Sequence, residues 1–194
     1  ALLQLLPSKP ALNWQRAYDY LVHGDYDCTP DTFYAGVHHL PPGHWLRVNL
    51  ATGQPGAPQR WWVPNITERP GWKCDDAVEQ VREQFLQNIR LHLRSDVPLG
   101  AALSGGIDSS AVVCAMRHVE PDLPIHTFSY IAAGSEVSEE HWVDRVNAHV
   151  EATPHKVTAT GAELARDLDD MIRAQGEPFG STSIYAQYRV FQLA

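Results

Sequence analysis

The sequence predicts an α/β domain, a parallel sheet flanked by helices, over its second half, and three observations carry that prediction. From Asp75 onward, helical and strand-like patterns alternate with short connections, which is the order that builds parallel sheets. Val97-Pro-Leu-Gly-Ala-Ala-Leu103 is a short continuous apolar run, as a strand covered on both faces requires. A Gly-Gly pair follows it at once, and a helical pattern opens just beyond, where open parallel sheets present their carboxyl edge to ligands.

Taken in order, the first third is punctuated by prolines, from Pro7 to Pro70. Between them, Trp14 to Val22 reads as a short helix. His44 to Leu50 alternates with the period of two expected of a half-buried strand. Thr52-Gly53 breaks that run, and Gln59 to Val63 is the expected partner strand. Residues 65–74 read as a linker, dividing a first part, 1–64, from a domain over 75–194. Asp75 to Leu93 places Val78, Val81, Phe85, Ile89 and Leu93 on one helical face, with an acidic start and a basic end that suit the helix dipole. Beyond the first strand come a helix from about Ser109 to His118, a strand Ile125 to Tyr130 and a helix Glu139 to Val150. A strand around His155 to Val157 and helices near Ala162 to Arg173 and Tyr185 to Leu193 complete the series.

Bulk composition narrows the function classes. With 44% hydrophobic and 20% charged residues the chain is that of a globular protein. A net charge of −8 argues against a nucleic-acid surface. No apolar run approaches the ~20 residues that span a bilayer. Cys28, Cys74 and Cys114 form no CxxC pair, so neither a disulfide framework nor a zinc site is expected, and a reducing cytoplasm is the simplest home. The apolar start, Ala-Leu-Leu-Gln-Leu-Leu-Pro7, lacks a basic segment and reads poorly as a signal peptide. Neither end is capped, as expected of a fragment.

The chemistry concentrates in Ser104-Gly-Gly-Ile-Asp-Ser-Ser110. Gly105 and Gly106 let the backbone turn sharply and approach a phosphate. Ser104, Ser109 and Ser110 add hydroxyl donors, and the first amides of the new helix point the same way. Asp108, a carboxylate facing an anion site, makes sense with Mg2+ between it and the phosphates. The tract is neither a Walker A loop nor a dinucleotide-binding glycine pattern. His38-His39 reads as a turn pair, Trp61, Trp62 and Trp72 as linker packing, Cys114 as core, and the Arg166 to Asp170 cluster as a solvated helix face.

The Ser-Gly-Gly-Ile-Asp-Ser-Ser tract resembles the signature of the N-type ATP pyrophosphatases, which split ATP between the α- and β-phosphates to form adenylates. Leu40-Pro-Pro-Gly-His-Trp-Leu46, Arg60-Trp-Trp62, Arg94 to Gly100, His126-Thr-Phe-Ser-Tyr130 and Gln175-Gly-Glu-Pro-Phe-Gly180 narrow it. In that order they resemble the glutamine-dependent asparagine synthetases, with Gly176 where an Asp is usual. The resemblance implies a PP-loop fold of the adenine nucleotide α-hydrolase kind, preceded by the β-rich end of an Ntn-type glutaminase domain. It implies ATP and Mg2+ as cofactors, with Ser104, Gly105, Gly106, Asp108, Ser109 and Ser110 at the pyrophosphate and Asp108 as the metal ligand. The backbones of Leu103 and Tyr130 would lie beside the adenosine, and Glu139 matches an acidic position near the nucleotide, though a solvated first-turn residue accounts for it equally.

The implied reaction hydrolyses glutamine, adenylates aspartate or another carboxylate, and displaces AMP with ammonia. Relatives that close β-lactam rings or cyclise lasso peptides use an internal amine instead, and a nucleotide-binding domain without catalysis is a third reading. No cysteine here can serve as an amino-terminal nucleophile. The residues that complete catalysis are expected beyond Ala194, so this chain alone is expected not to turn over. A homodimer is compatible with the resemblance.

Overall fold

The computed structural model describes residues 5–136 and 138–194; the first four residues of the apolar start fall outside them. Backbone contacts divide the chain into two units, Ala1–Arg69 and Pro70–Ala194.

In the first unit, helix α1 (Trp14–His23) is capped at its start by the Asn13 side chain, which accepts the Arg16 amide, and at its end by left-handed Gly24. Its inner face carries a charge. Arg16 is buried, and its guanidinium donates to the carbonyls of Asp25 (3.3 Å) and Tyr26 (2.6 Å) and to the Asp19 carboxylate (3.2 Å). Beside it Phe33 takes the ring of Tyr20 edge-on, centroids 5.6 Å apart. Trp14, Tyr18 and Leu21, the apolar stripe of the same helix, lie exposed.

Strands β1 (His44–Trp45) and β2 (Gln59–Arg60) pair antiparallel, His44 opposite Arg60. The alternation expected over 44–50 thus yields a two-residue ladder. Beyond it the chain keeps only an isolated bridge, Val48 to Pro55, and single bonds such as Gly56 N–H to the Arg47 carbonyl. Pro55 and Pro58 lack the N–H that a longer ladder would need. Trp61 and Trp62 donate their amides to the Gly43 carbonyl, but their side chains stay exposed, contrary to the packing expected of them.

The second unit begins with helix α2 (Cys74–His92), followed by strand β3 (Gly100–Ala102) and helix α3 (Ile107–Val119). Strand β4 (His126–Tyr130), helix α4 (Glu140–Val150), strand β5 (Thr153–Val157), and helices α5 (Gly161–Gln175) and α6 (Ser183–Leu193) complete it. The three strands form a parallel sheet in the order β3-β4-β5, with Ala102 opposite Phe128 and Phe128 opposite His155.

Alternation along the strands assigns the faces. Ala101, Leu103, Thr127 and Ser129 point to one side and are buried; there Leu103, Ile125, Val113, Met116, Val143, Val150 and Ile89 make the core with α2, α3 and α4. Cys114 packs against that core, as its apolar neighbourhood suggested. The opposite face, with Ala102, Phe128 and His155, receives α6, which packs on β4 and β5. Gly100 is required here, because a Cβ would sit 2.5 Å from the Phe128 ring. Helix α2 matches its period, but Val78 and Val81 are exposed and Ile89 alone on its face is fully buried, because only the C-terminal half of α2 lies on the core.

Candidate functional site

The glycine-rich tract lies where β3 hands over to α3. Gly105 has φ of 91°, and a Cβ there would meet Glu139 Cβ and the Glu139 carbonyl at 3.0 Å, so the start of α4 presses directly on the loop. Helix α3 begins after Gly106, which has no side chain to cap it, whereas α5 is closed by a reciprocal Thr160–Glu163 box with bonds of 3.2 and 2.8 Å. The contrast is physical: the Glu163 amide of α5 is met by its own cap, whereas no side chain meets the first amides of α3, which are left for an incoming acceptor.

The serines form a closed ring. The Gly106 amide donates to Ser104 Oγ (3.3 Å), and Ser109 Oγ donates to the Gly106 carbonyl (3.1 Å). With its single proton spent there, Ser109 Oγ must accept from Ser104 Oγ (3.0 Å) and from the Ser104 amide (3.2 Å). The two hydroxyls therefore shape the loop, and an anion would be met first by backbone amides. Ser110 starts the helical ladder, its amide donating to the Gly106 carbonyl at 3.1 Å. Asp108 stands exposed in the first turn of α3, an oxygen donor of the kind a hard cation takes.

Next to the loop opens a cavity of ≈ 430 Å³. Leu103, Ser104, Ser109 and Tyr130 of the expected set line it; Gly105, Gly106, Asp108 and Ser110 sit along the loop outside its lining. Both polar backbone groups of Leu103 are engaged, its amide with the Phe128 carbonyl (2.9 Å) and its carbonyl with Ser129 Oγ (2.6 Å). Leu103 thus borders the cavity while its side chain stays in the core on the other face of the sheet. Glu139, left undecided by its position in the sequence, also lines the cavity. The start of α4 that carries it is tied to β5 by Lys156, which bridges Glu140 (2.8 Å) and Asp144 (2.6 Å). Those hydrogen bonds, to Asp144 first and Glu140 second, raise the Lys156 ammonium above its ordinary pKa.

The far wall escaped the sequence reading: Ala186, Gln187, Val190 and Phe191 of α6. Their spacing marks one helical face, but nothing in the sequence says which element that face meets. The opposite face of α6 is anchored on α5. Tyr185, 4% exposed, donates its hydroxyl to Asp167 (2.7 Å) and accepts from Arg189 (2.9 Å), which also reaches Glu163 at 3.4 Å. This corrects the reading of Arg166 to Asp170 as a solvated face. Arg166 is 68% exposed, but the Asp167 side chain is only 15% exposed and receives the tyrosine. Hydrogen bonds from Arg166 and then Tyr185 hold the Asp167 carboxyl below its ordinary pKa, and burial pushes the Tyr185 phenol up.

The asparagine synthase family profile matches residues 80–194, and the chain belongs to that family. The chain is 31% identical over 120 residues to asparagine synthetase [glutamine-hydrolyzing] 2 of Bacillus subtilis, covering 58% of this chain and 16% of that protein. It is 29% identical over 134 residues to a putative asparagine synthetase of Methanocaldococcus jannaschii, 69% and 25% of the two chains. Amidase chry2 of Gibberella zeae is 35% identical over 91 residues, 45% and 13%. The chain thus spans about a sixth to a quarter of the length of the synthetases it matches. Among solved structures, the NH3-dependent NAD synthetase of Campylobacter jejuni aligns with 19% identity and a TM-score of 0.42, over 59% of this chain and 49% of that one. Among the described residues, no helix is long and apolar enough to cross a membrane.

Proposed function

We propose that residues 75–194 are the ATP-binding part of a ligase that adenylates a carboxylate and converts it to an amide. The carboxylate is aspartate, the product asparagine, and glutamine the ammonia source. Residues 1–64 are the end of the glutaminase domain, 65–74 its linker, and the cytoplasm its site of action. The observation that carries this reading is the uncapped start of α3, set on a cavity inside the segment that matches the family.

In this reading the first amides of α3 hold the pyrophosphate end of ATP, where the helix dipole favours negative charge. The serine ring keeps the loop in shape, and the backbones of Leu103 and Tyr130 lie beside the adenosine. Asp108 holds Mg2+; bound there, the metal supplies charge stabilisation to the departing pyrophosphate. Completion of the site and any pairing of subunits belong to the whole enzyme.

Equilibrium binding of ATP, titrated with and without Mg2+, tests the assignment. Wild type is expected to bind more tightly with Mg2+, and Asp108→Ala to lose about tenfold of that gain, the order of one charge-assisted contact. An unchanged Mg2+ dependence in the variant would remove Asp108 from the site.

A further inference from the structure

This inference rests on the nucleotide reading of the cavity. We propose that Gln187 is a specificity-determining residue, reading the 6-amino group of an adenine base from the wall opposite the phosphate loop.

The cavity is polar at one end and apolar along most of its length. Ser104, Ser109 and Glu139 mark the loop end, and Leu103, Phe128, Tyr130 and Ala132 line the walls between. At the α6 wall, Gln187 is the one polar side chain among Ala186, Val190 and Phe191. Its carboxamide is exposed and makes no hydrogen bond with another described residue. A free carboxamide beside apolar walls leaves both a donor and an acceptor for a ligand. A carboxamide matches adenine by accepting from the 6-amino group and donating to an adjacent ring nitrogen, the pairing that glutamine and asparagine make with this base elsewhere.

Helix α6 is held so that the face carrying Gln187 cannot rotate away from the cavity. Tyr185 and Arg189 lie one turn apart on the other face and are bound to Asp167 and Glu163 of α5, so the rotation of α6 about its axis is set by that anchorage. Pocket walls that merely exclude water discriminate weakly between bases. A positioned hydrogen-bonding group discriminates by leaving itself unpaired when the wrong base enters.

The experiment compares ATP with the triphosphate of purine riboside, which lacks only the 6-amino group, by displacement of a fluorescent ATP analogue from the chain in Mg2+. Wild type is expected to favour ATP by about tenfold, the effect of one hydrogen bond and its unpaired partner. Gln187→Leu should shrink that ratio to within about twofold by weakening ATP more than the amino-free nucleotide, which loses only the bond to its ring nitrogen. That second readout separates base reading from a general loss of packing. Gln187→Glu, which keeps an acceptor, should retain part of the preference. A ratio unchanged in Gln187→Leu, or equal weakening of both nucleotides, overturns the inference and leaves the nucleotide site standing. Failure of the unaltered chain to bind ATP at all overturns both.

Discussion

The two units of this chain are held together by different physics. In residues 70–194 most of the buried apolar side chains form one cluster from Ile89 to Val150, with Met171 and Tyr185 buried outside it and Thr127 and Ser129 hydrogen-bonded polar members on the sheet. In the first unit, among the described residues, Phe33 is the buried apolar side chain, and its companions are Arg16 and Thr32. There the loop after α1 is fastened by a guanidinium that donates to main-chain carbonyls, and Thr32 does the same on a smaller scale, donating to the Val37 carbonyl at 2.8 Å. The comparison teaches that the site rides on the unit whose order comes from burial, which is non-directional and cumulative. The other unit depends on a few directional bonds, each of which fails singly.

The largest effect is expected from breaking the apolar unit. Ile125 is 2% exposed at the foot of β4, and Ile125→Ala should destabilise residues 70–194 by about 2–5 kcal/mol, the range for a buried aliphatic truncation. Urea unfolding followed by circular dichroism checks this; a loss under 1 kcal/mol would mean the cluster collapses around the gap. Next in size is Arg16→Met, which keeps the stem and removes the donors. Limited proteolysis mapped by mass spectrometry should then cut faster at 24–28, where the Asp25 and Tyr26 carbonyls lose their partner. Resistance equal to wild type would show that this loop does not need the guanidinium.

The smallest effect sharpens the contrast inside the second unit. Asp167 and Glu163 both titrate below their ordinary values, so each contributes stability that is present above the unfolded carboxylate pKa and lost as pH falls through the folded one. Below about pH 4 the α5–α6 anchorage should therefore weaken. Thermal midpoints measured from pH 6 to pH 3 should fall less steeply in Asp167→Asn than in wild type. Parallel slopes would show that the carboxylate is not the titrating link.

Much of the second unit was legible because its signals are local. The helix over 74–92 follows from apolar spacing and end charges, and the observed strands at 100–102, 126–130 and 153–157 overlap the segments the alternating order marked as strands. The loop was legible for the same reason: Gly105 must take a positive φ, and glycine does so without strain. What escaped was relational. Asp167 reads as one more charge on a polar face until Tyr185 arrives from 18 residues away. The alternation at 44–50 promised a longer ladder than two prolines in the partner segment allow. The polar wall at Gln187 belongs to a helix whose existence was clear and whose facing was not.

By itself, the sequence determined the α/β order of elements and the glycine turn, since periodicity and backbone freedom act within a few residues of one another. The tertiary structure decided which side chains share the cavity, that the serines close on one another, and that α6 forms the far wall. Those depend on which faces meet when distant segments bury their apolar surface, and burial is indifferent to distance along the chain.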